Sequence, residues 1–208
     1  MTIDEDCGLP VNGPQPGLSQ WAKDLIHGRQ NFTPRRLIEP GPSLSQLEEL
    51  LEAAAAAPDH GELTPWRFIL IPDRSRQRLG EVFRGALLER DGDATPQQQL
   101  EASEKARRAP CLLLAVVDLA PKDKPVPDVE RLISLGCAIQ NMLLLARAIG
   151  YGSGLSSGQA LESAVLRRAF ALSEHERATC FVSFGTVAKA RPARSRPAAA
   201  QIMSEFSA

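Results

Sequence analysis

The sequence lacks the residue patterns that hold a metal ion or a framework of disulfide bonds. Its 208 residues include four cysteines and three histidines, and no two cysteines form a Cys-x-x-Cys pair. No spacing of histidine, cysteine and carboxylate residues is typical of metal ligands. Three of the cysteines lie within apolar runs, where a thiol behaves as a small hydrophobic group, and this usage fits the reducing cytoplasm.

Charge and hydropathy give no reason to expect a nucleic acid or a membrane as a partner. The formal net charge is −1, so the composition provides no electrostatic attraction to polyanions. We expect no stretch to be apolar for long enough to span a bilayer. Residues 1–17 are acidic and rich in proline and glycine, unlike a signal peptide, and we predict that they form a disordered leader.

Apolar periodicity and turn residues predict helices and buried strands in irregular order. Helical patterns lie at residues 21–26, 43–57, 75–87, from 95 onward, 129–149 and 160–170. Apolar runs predict strands at residues 67–71, 111–119 and 179–187, and a glycine-serine loop is predicted at residues 150–158. Because strands and helices do not alternate regularly, we predict an α+β fold in which helices surround a central mixed or antiparallel sheet.

The predicted helix at residues 129–149 is apolar in nearly every direction. Such a helix must be buried on all sides, either in the core or against another subunit. Near the C-terminus, Ile202, Met203 and Phe206 would share one apolar face if that segment were helical. We therefore predict a homodimer in which residues 18–188 form one domain and residues 189–208 form an arm that docks on the partner subunit.

Residues 53–68 carry the most distinctive pattern in the chain. An alanine-rich helix runs into Pro58-Asp59-His60, and Pro-Trp-Arg-Phe then opens an apolar strand at residue 65. Upstream, Leu-Ile-His-Gly precedes Arg29-Gln30-Asn31. Together these motifs resemble the FMN-dependent nitroreductase family, in particular its small single-domain branch of NAD(P)H nitroreductases. The resemblance extends from about residue 25 to residue 186, and it implies a nitroreductase-like domain.

The resemblance implies that two parts of the sequence bind the FMN phosphate. Arg29, Gln30 and Asn31 match the family's Arg-Arg-Ser signature, which holds the phosphate and the ribityl chain. Arg194 and Arg196 resemble a basic pair that more distant members place on the phosphate. Arginine forms bidentate hydrogen bonds with phosphate oxygens, and side-chain cations are needed here because the C-terminal end of a helix repels anions. Two alternatives remain, namely a helix-capping role for Arg29 and a solvated basic tail.

The resemblance also implies which residues contact the flavin. They are Pro58, Asp59 and His60 on one loop, and Leu155, Ser156 and Ser157 on another. On the second loop, backbone N–H groups and hydroxyls would hydrogen-bond the flavin carbonyls, and glycines would allow close approach. Asp59 is equally well explained as a turn residue, and Trp66 is better explained as a core anchor than as a residue that stacks on the flavin.

These implications together predict an FMN-dependent oxidoreductase. It would take a hydride from NADH or NADPH and pass it to a nitro, quinone or unsaturated carbonyl acceptor. Because the flavin carries the chemistry, no catalytic side chain is expected. The alternative is a protein of the same fold that binds flavin or another small ligand without turnover. It is favoured by Gln30 and Ser156, because the family usually has cations at these two positions.

Overall fold

The computed structural model of the chain describes residues 16–120, 126–189, 192 and 194–206. Its α-helices are α1 (Pro16–Gly28), α2 (Leu44–Ala55), α3 (Arg76–Arg90), α4 (Pro96–Glu104), α5 (Asp128–Ala148) and α6 (Ala164–Ala169). Its strands are β1 (Leu37–Ile38), β2 (Trp66–Leu70), β3 (Cys111–Asp118), β4 (Gly152–Ser156) and β5 (Glu176–Val187). Most of the predicted 1–17 leader, and the proline-rich segment 121–125, lie outside the described residues.

The described strands form one sheet with β5 at its centre. β5 pairs with β3 along one edge and with β4 and then β1 along the other, while β2 pairs with the far edge of β3. All of these pairings are antiparallel. The prediction of an α+β fold with helices around a central antiparallel sheet is therefore confirmed.

Helices cover both faces of the sheet, and β3 contributes to both cores. Its odd-numbered residues pack with Leu50 of α2 and Met142 of α5. Its even-numbered apolar residues pack with Leu79 of α3 and Leu166 of α6. Because successive side chains of a strand point to opposite faces, a strand covered on both sides is apolar throughout. This explains why β3 was predictable from a continuous apolar run.

Helix α5 is buried on one side and open on the other. Leu135 and Met142 are almost fully buried, whereas Val129, Leu132 and Ile133 are 60%, 44% and 59% exposed. Within one chain, α5 is therefore not buried on all sides, as its apolar sequence would require. By length and composition α5 could also cross a membrane, so the expectation that no stretch is long enough was wrong. Core helices of soluble proteins can have the same length and composition, and α5 packs against α2 and the sheet.

Two predicted segments differ from the structure. The loop predicted at residues 150–158 contains β4, because pairing with β5 overrides the low strand propensity of glycine and serine. The helix predicted at residues 160–170 is split into a 3₁₀-helix at Gln159–Glu162 and α6. The split occurs because the Ser163 hydroxyl accepts a hydrogen bond from the Leu166 N–H and starts a new helix there.

Both ends of the predicted domain also differ in detail. Helix α1 begins at Pro16, so the last two residues assigned to the leader are helical. In the tail, a 3₁₀-helix at Ala199–Gln201 ends before Ile202, Met203 and Phe206, and these three residues are not helical. They are 75%, 76% and 95% exposed.

Gly154 allows the segment after α1 to lie directly against β4. The Phe32 N–H donates a hydrogen bond to the Ser153 carbonyl at 2.9 Å, and Asn31 forms a parallel bridge with Ser153. A Cβ atom on Gly154 would lie only 1.8 Å from the Phe32 carbonyl oxygen. Because that oxygen belongs to the backbone, no side-chain rotation can relieve the clash. The contact thus fixes residues 29–34 beside residues 152–158.

We expect Gly154→Ala to lower the free energy of unfolding by about 1–3 kcal/mol or more, because forcing extra volume into a packed site usually has this cost. Gly92→Ala is the matched control, because Gly92 lies in the exposed turn after α3 and a Cβ atom there meets nothing within 4 Å. Its replacement should change the free energy of unfolding by no more than about 0.5 kcal/mol, as surface substitutions usually do. Urea unfolding of both variants provides the measurement. Equal stability of the two variants would contradict this account of the contact.

Candidate functional site

Arg29 and Arg196 are brought together at the C-terminal end of α1. Arg29 directly follows this helix and is partly buried. The Arg196 guanidinium donates a hydrogen bond from Nη2 to the Arg29 carbonyl oxygen at 3.3 Å. Burial, and then the nearby charge of Arg196, lower the pKa of Arg29 below its ordinary value. An anion bound between the two guanidinium groups would offset both effects.

Arg29 lines a cavity of about 350 Å³ that we call the arginine cavity. Its walls are Gly28, Arg29, Gln30, Phe32, Arg147, Gly150, Tyr151, Gly152, Ser153 and Val187. No carboxylate is among these residues. Two of the three residues predicted to hold the phosphate, Arg29 and Gln30, therefore lie at one cavity, and Arg196 adjoins it through Arg29. Arg194, the other predicted tail arginine, is exposed and is not among the residues that line the arginine cavity.

Arg147 belongs to this cavity and was missed in the sequence. It lies in the last turn of α5. A signal was present, because Arg147 is the only charged residue between Cys137 and Ile149. A single cation at the end of an apolar helix is also the expected partner of the helix dipole, so the sequence alone gave no reason to assign it to a site.

A second cavity of about 410 Å³, which we call the serine cavity, contains two of the three predicted flavin-loop residues. It lies between α3, α4, the sheet and the end of β4. Its polar lining includes Ser156, Ser157, Gln98, Gln159, Arg90, Lys105, Arg108, Asp91 and Glu101. Burial, and then the charge of Arg35, lower the pKa of Arg108. The volume is in the range of small-molecule sites, and three cations face two carboxylates.

The two cavities lie at the two ends of one continuous wall. The segment after α1 contributes Phe32 to the arginine cavity and Pro34 to the serine cavity. Strand β4, beside it, contributes Gly152 to the first and Ser156 to the second. A strand advances about 3.3 Å per residue, so these two residues lie about 13 Å apart. The geometry suits an elongated ligand with an anion at one end and a ring at the other.

Asn31 joins the two segments through its side chain. Its Oδ1 atom accepts a hydrogen bond from the Leu155 N–H at 2.7 Å. This corrects one expectation, because the Leu155 N–H is already bonded and is not available to a flavin carbonyl. Asn31 therefore positions residues 155–157, and its side-chain carbonyl oxygen is taken up by this hydrogen bond.

The loop at residues 58–64 is held by a hydrogen bond within the loop itself, and Asp59 acts in it as a turn residue. The Asp59 carboxylate accepts a hydrogen bond from the Thr64 N–H at 2.5 Å. Between them, Gly61 and Glu62 have φ angles of 79° and 55°, in the left-handed region. Of the two explanations for Asp59, the structure thus supports the turn, since its carboxylate stabilises a strained backbone.

His60 and Pro58 line neither the arginine cavity nor the serine cavity. The His60 Nδ1 atom lies 2.5 Å from a carboxylate oxygen of Glu130, in the first turn of α5. The histidine side chain is 68% exposed. Nearby, Trp66 donates a hydrogen bond from Nε1 to the Ser134 hydroxyl at 3.0 Å and packs against the core. Trp66 is therefore a core anchor, as predicted.

No side-chain nucleophile is poised in the described part of the chain. Residues 154–158 spell Gly-x-Ser-x-Gly, the pattern of a hydrolase elbow, but the elbow is a sharp turn from a strand into a helix. Ser156 instead ends an antiparallel strand, and no histidine lines the serine cavity. Burial raises the pKa of the Cys111 and Cys180 thiols to about 11, so both remain protonated near neutral pH.

Several known proteins are similar to this chain in sequence. Residues 33–186 match the model of the family described as "Nitroreductase family". A "Putative NAD(P)H nitroreductase" from Haemophilus influenzae is 34% identical over 152 residues, which cover 73% of this chain and 82% of the relative. "Putative NAD(P)H nitroreductase YdjA" from Escherichia coli K12 is 36% identical over 169 residues, which cover 79% of this chain and 87% of the relative.

Solved structures agree with this result at the level of the fold. A nitroreductase-like family protein from Bacillus cereus superimposes with a TM-score of 0.77 at 20% identity, covering 89% of this chain and 95% of that structure. A "putative nitroreductase in complex with fmn" from Desulfovibrio desulfuricans gives a TM-score of 0.66 at 23% identity, covering 94% of this chain and 99% of that structure. The match to the family model and the two sequence relatives lead to one conclusion: the chain belongs to the nitroreductase family.

Proposed function

We propose that this protein is an FMN-dependent NAD(P)H oxidoreductase. The observation that carries the proposal is the continuous wall formed by residues 29–34 and 152–158, which joins the arginine cavity to the serine cavity. FMN has the matching shape, with a phosphate, a ribityl chain and a ring in that order. The names of the relatives support NADH or NADPH as the electron donor, and the solved complex supports FMN.

The residues present fit the two ends of FMN. Arg29 and Arg196 would bind the phosphate, because guanidinium groups form charge-assisted hydrogen bonds with its oxygens. Gln30 lines the same cavity and would contact the phosphate or the ribityl chain, next to Asn31. At the other end, the Ser156 and Ser157 hydroxyls would orient the flavin ring in the serine cavity.

FMN, when bound, would supply the redox chemistry, namely hydride transfer from a nicotinamide to an organic acceptor. The chain would position the ring in the serine cavity, whose three cations, Lys105 and Arg108 among them, outnumber its two carboxylates by one. The acceptor would be a nitro compound, a quinone or an unsaturated carbonyl compound. On this view no protein side chain acts as a catalytic acid or base in flavin reduction.

The position of His60 favours a site that two subunits share. His60 contacts Glu130 in the first turn of α5, whereas Arg147 of the arginine cavity lies in the last turn. Glu130 and Arg147 are 17 positions apart in α5, so about 26 Å of helix separates them, at about 1.5 Å per residue. His60 of one chain therefore cannot reach a flavin held by Arg29 of the same chain. We propose that Pro58 and His60 face the flavin of the partner subunit in a cytoplasmic homodimer, while Asp59 holds the turn that presents them.

A rival function is flavin binding without turnover. It is favoured by the uncharged Gln30 and Ser156, where the family usually has cations. Lys105 and Arg108 supply positive charge to the same cavity as Ser156, which weakens the rival. Turnover separates the two functions, because only a reductase oxidises NADH or NADPH continuously under air.

We expect the full-length protein to show the absorption bands of oxidised flavin when FMN is added, and to oxidise NADH or NADPH. Arg29→Ala should weaken FMN binding about ten- to a hundredfold, the contribution of a hydrogen bond between charged groups. Arg78→Ala, at an exposed position of α3, is the control and should bind FMN normally. Titration of flavin-free protein by fluorescence quenching measures both. Absence of FMN binding by the wild-type protein would refute the proposed function.

A general acid or base typically contributes a factor on the order of 10² to 10⁴ to a reaction rate. His60→Ala should slow flavin reduction by NADH or NADPH by much less than this factor. The physical reason is that hydride transfer to the flavin requires no proton removal by the protein. Anaerobic stopped-flow bleaching of the flavin band at saturating FMN isolates this step, and His60→Gln is the matched variant of similar size. Loss of bleaching with FMN still bound would show that His60 acts chemically.

The homodimer can be tested through the exposed side of α5. Light scattering of the wild-type protein at micromolar concentration should give the mass of two chains. Ile133→Asp should shift the mass toward one chain, because Ile133 is 59% exposed and a charge would be buried at the interface. Glu81→Lys, on an exposed position of α3, is the control for a change of charge. A wild-type monomer would contradict the proposal.

A further inference from the structure

Arg147 is the one cation of the arginine cavity that the proposed function leaves without a role. It lies far from Arg29 in sequence, at the end of α5, and the packing of α1 against α5 brings the two together. Its side chain is exposed to solvent. None of the ion pairs within the described residues involves Arg29, Arg147 or Arg196.

The backbone at Gly28 makes room for the Arg147 guanidinium. A Cβ atom on Gly28 would lie 1.9 Å from Nη2 and 2.3 Å from Cζ of Arg147. Gly28 is the last residue of α1, and Arg29 follows it directly. Arg147 and Arg29 thus border the same cavity from the ends of two different helices.

Two helices end at this cavity, and the C-terminal end of each disfavours the binding of an anion. Gly28 ends α1, and Gly150 lies two residues beyond the end of α5. Each C-terminal end carries a partial negative charge that disfavours a bound anion. A phosphate therefore binds here only if side-chain cations outweigh both helix ends. Three arginines meet that requirement better than two, and Gln30 adds no charge.

We propose that Arg147 binds the phosphate of FMN together with Arg29 and Arg196, and so replaces the cation that is missing at Gln30. The proposal rests on the proposed function. It concerns a phosphate monoester, a group that both FMN and the 2′ position of NADPH carry. We assign the FMN phosphate, because the wall beside Arg29 leads from this cavity to the serine cavity.

The comparison of FMN with riboflavin tests the assignment, since the two ligands differ only in the phosphate. In flavin-free full-length protein, Arg147→Ala should raise the dissociation constant for FMN about tenfold and leave that for riboflavin unchanged. Arg147→Lys, which keeps the charge and loses the planar fork, should give a smaller effect. Arg78→Ala should change neither constant.

Gly28→Ala gives an independent test without removing the arginine. The new methyl group must displace the Arg147 guanidinium, which is the far end of a flexible side chain, so the fold should tolerate it. FMN affinity should fall as in Arg147→Ala, and the double variant should be no weaker than either single variant, because both remove the same contact.

Each outcome decides the matter. An unchanged FMN affinity in Arg147→Ala, or an equal loss for FMN and riboflavin, overturns the proposal. A higher KM for NADPH but not for NADH, with FMN affinity preserved, also overturns it and moves Arg147 to the nucleotide phosphate. If wild-type protein bound neither flavin, the proposed function itself would fail, and the wild-type titration would reveal this before any variant is compared.

Discussion

The pairing of the segment after α1 with β4 is the contact on which the candidate site depends. One backbone hydrogen bond, from Phe32 to Ser153, and one side-chain bond, from Leu155 to Asn31, hold the two segments together. Gly154 makes the close approach possible. Without this pairing, Arg29 would be the end of a peripheral helix and Ser156 the end of a short edge strand. With it, both belong to one wall.

Charge is distributed along that wall in a way that folding alone does not require. Two arginines elsewhere in the described chain have acidic or carbonyl partners: Arg67 bonds the Glu176 carboxylate at 2.6 Å, and the buried Arg76 donates hydrogen bonds to backbone carbonyl oxygens. At the arginine cavity the guanidinium groups instead gather at helix ends, and none of them forms an ion pair with a carboxylate of the described residues. Their mutual repulsion is a cost that an anionic ligand removes. At the serine cavity, cations and carboxylates are mixed, which suits an uncharged ring.

The parts of the fold that were predictable from sequence are those fixed by local pattern. The run from Cys111 to Asp118 had to be a doubly covered strand, and Ser43 and Thr95 cap helices as their neighbours indicate. Strand β4 was not predictable, since its glycines and serines pair only because β5 lies beside them. The resemblance singled out Arg29 and Arg196, and the structure places them in contact. Arg147 could not be found, because only the packing of α1 on α5 brings it to Arg29.

Helix α5 acts as a spacer between two groups that the family resemblance assigns to one flavin. His60 lies near its first turn and the arginine cavity lies at its last. In a symmetric dimer, each flavin would then draw its phosphate ligands from one chain and its histidine loop from the other. Defects in the two regions would accordingly complement in trans. A mixed dimer with a phosphate-site defect in one chain and a histidine-loop defect in the other retains one undamaged site. If both defects lie in the same chain, each of the two sites contains one defect.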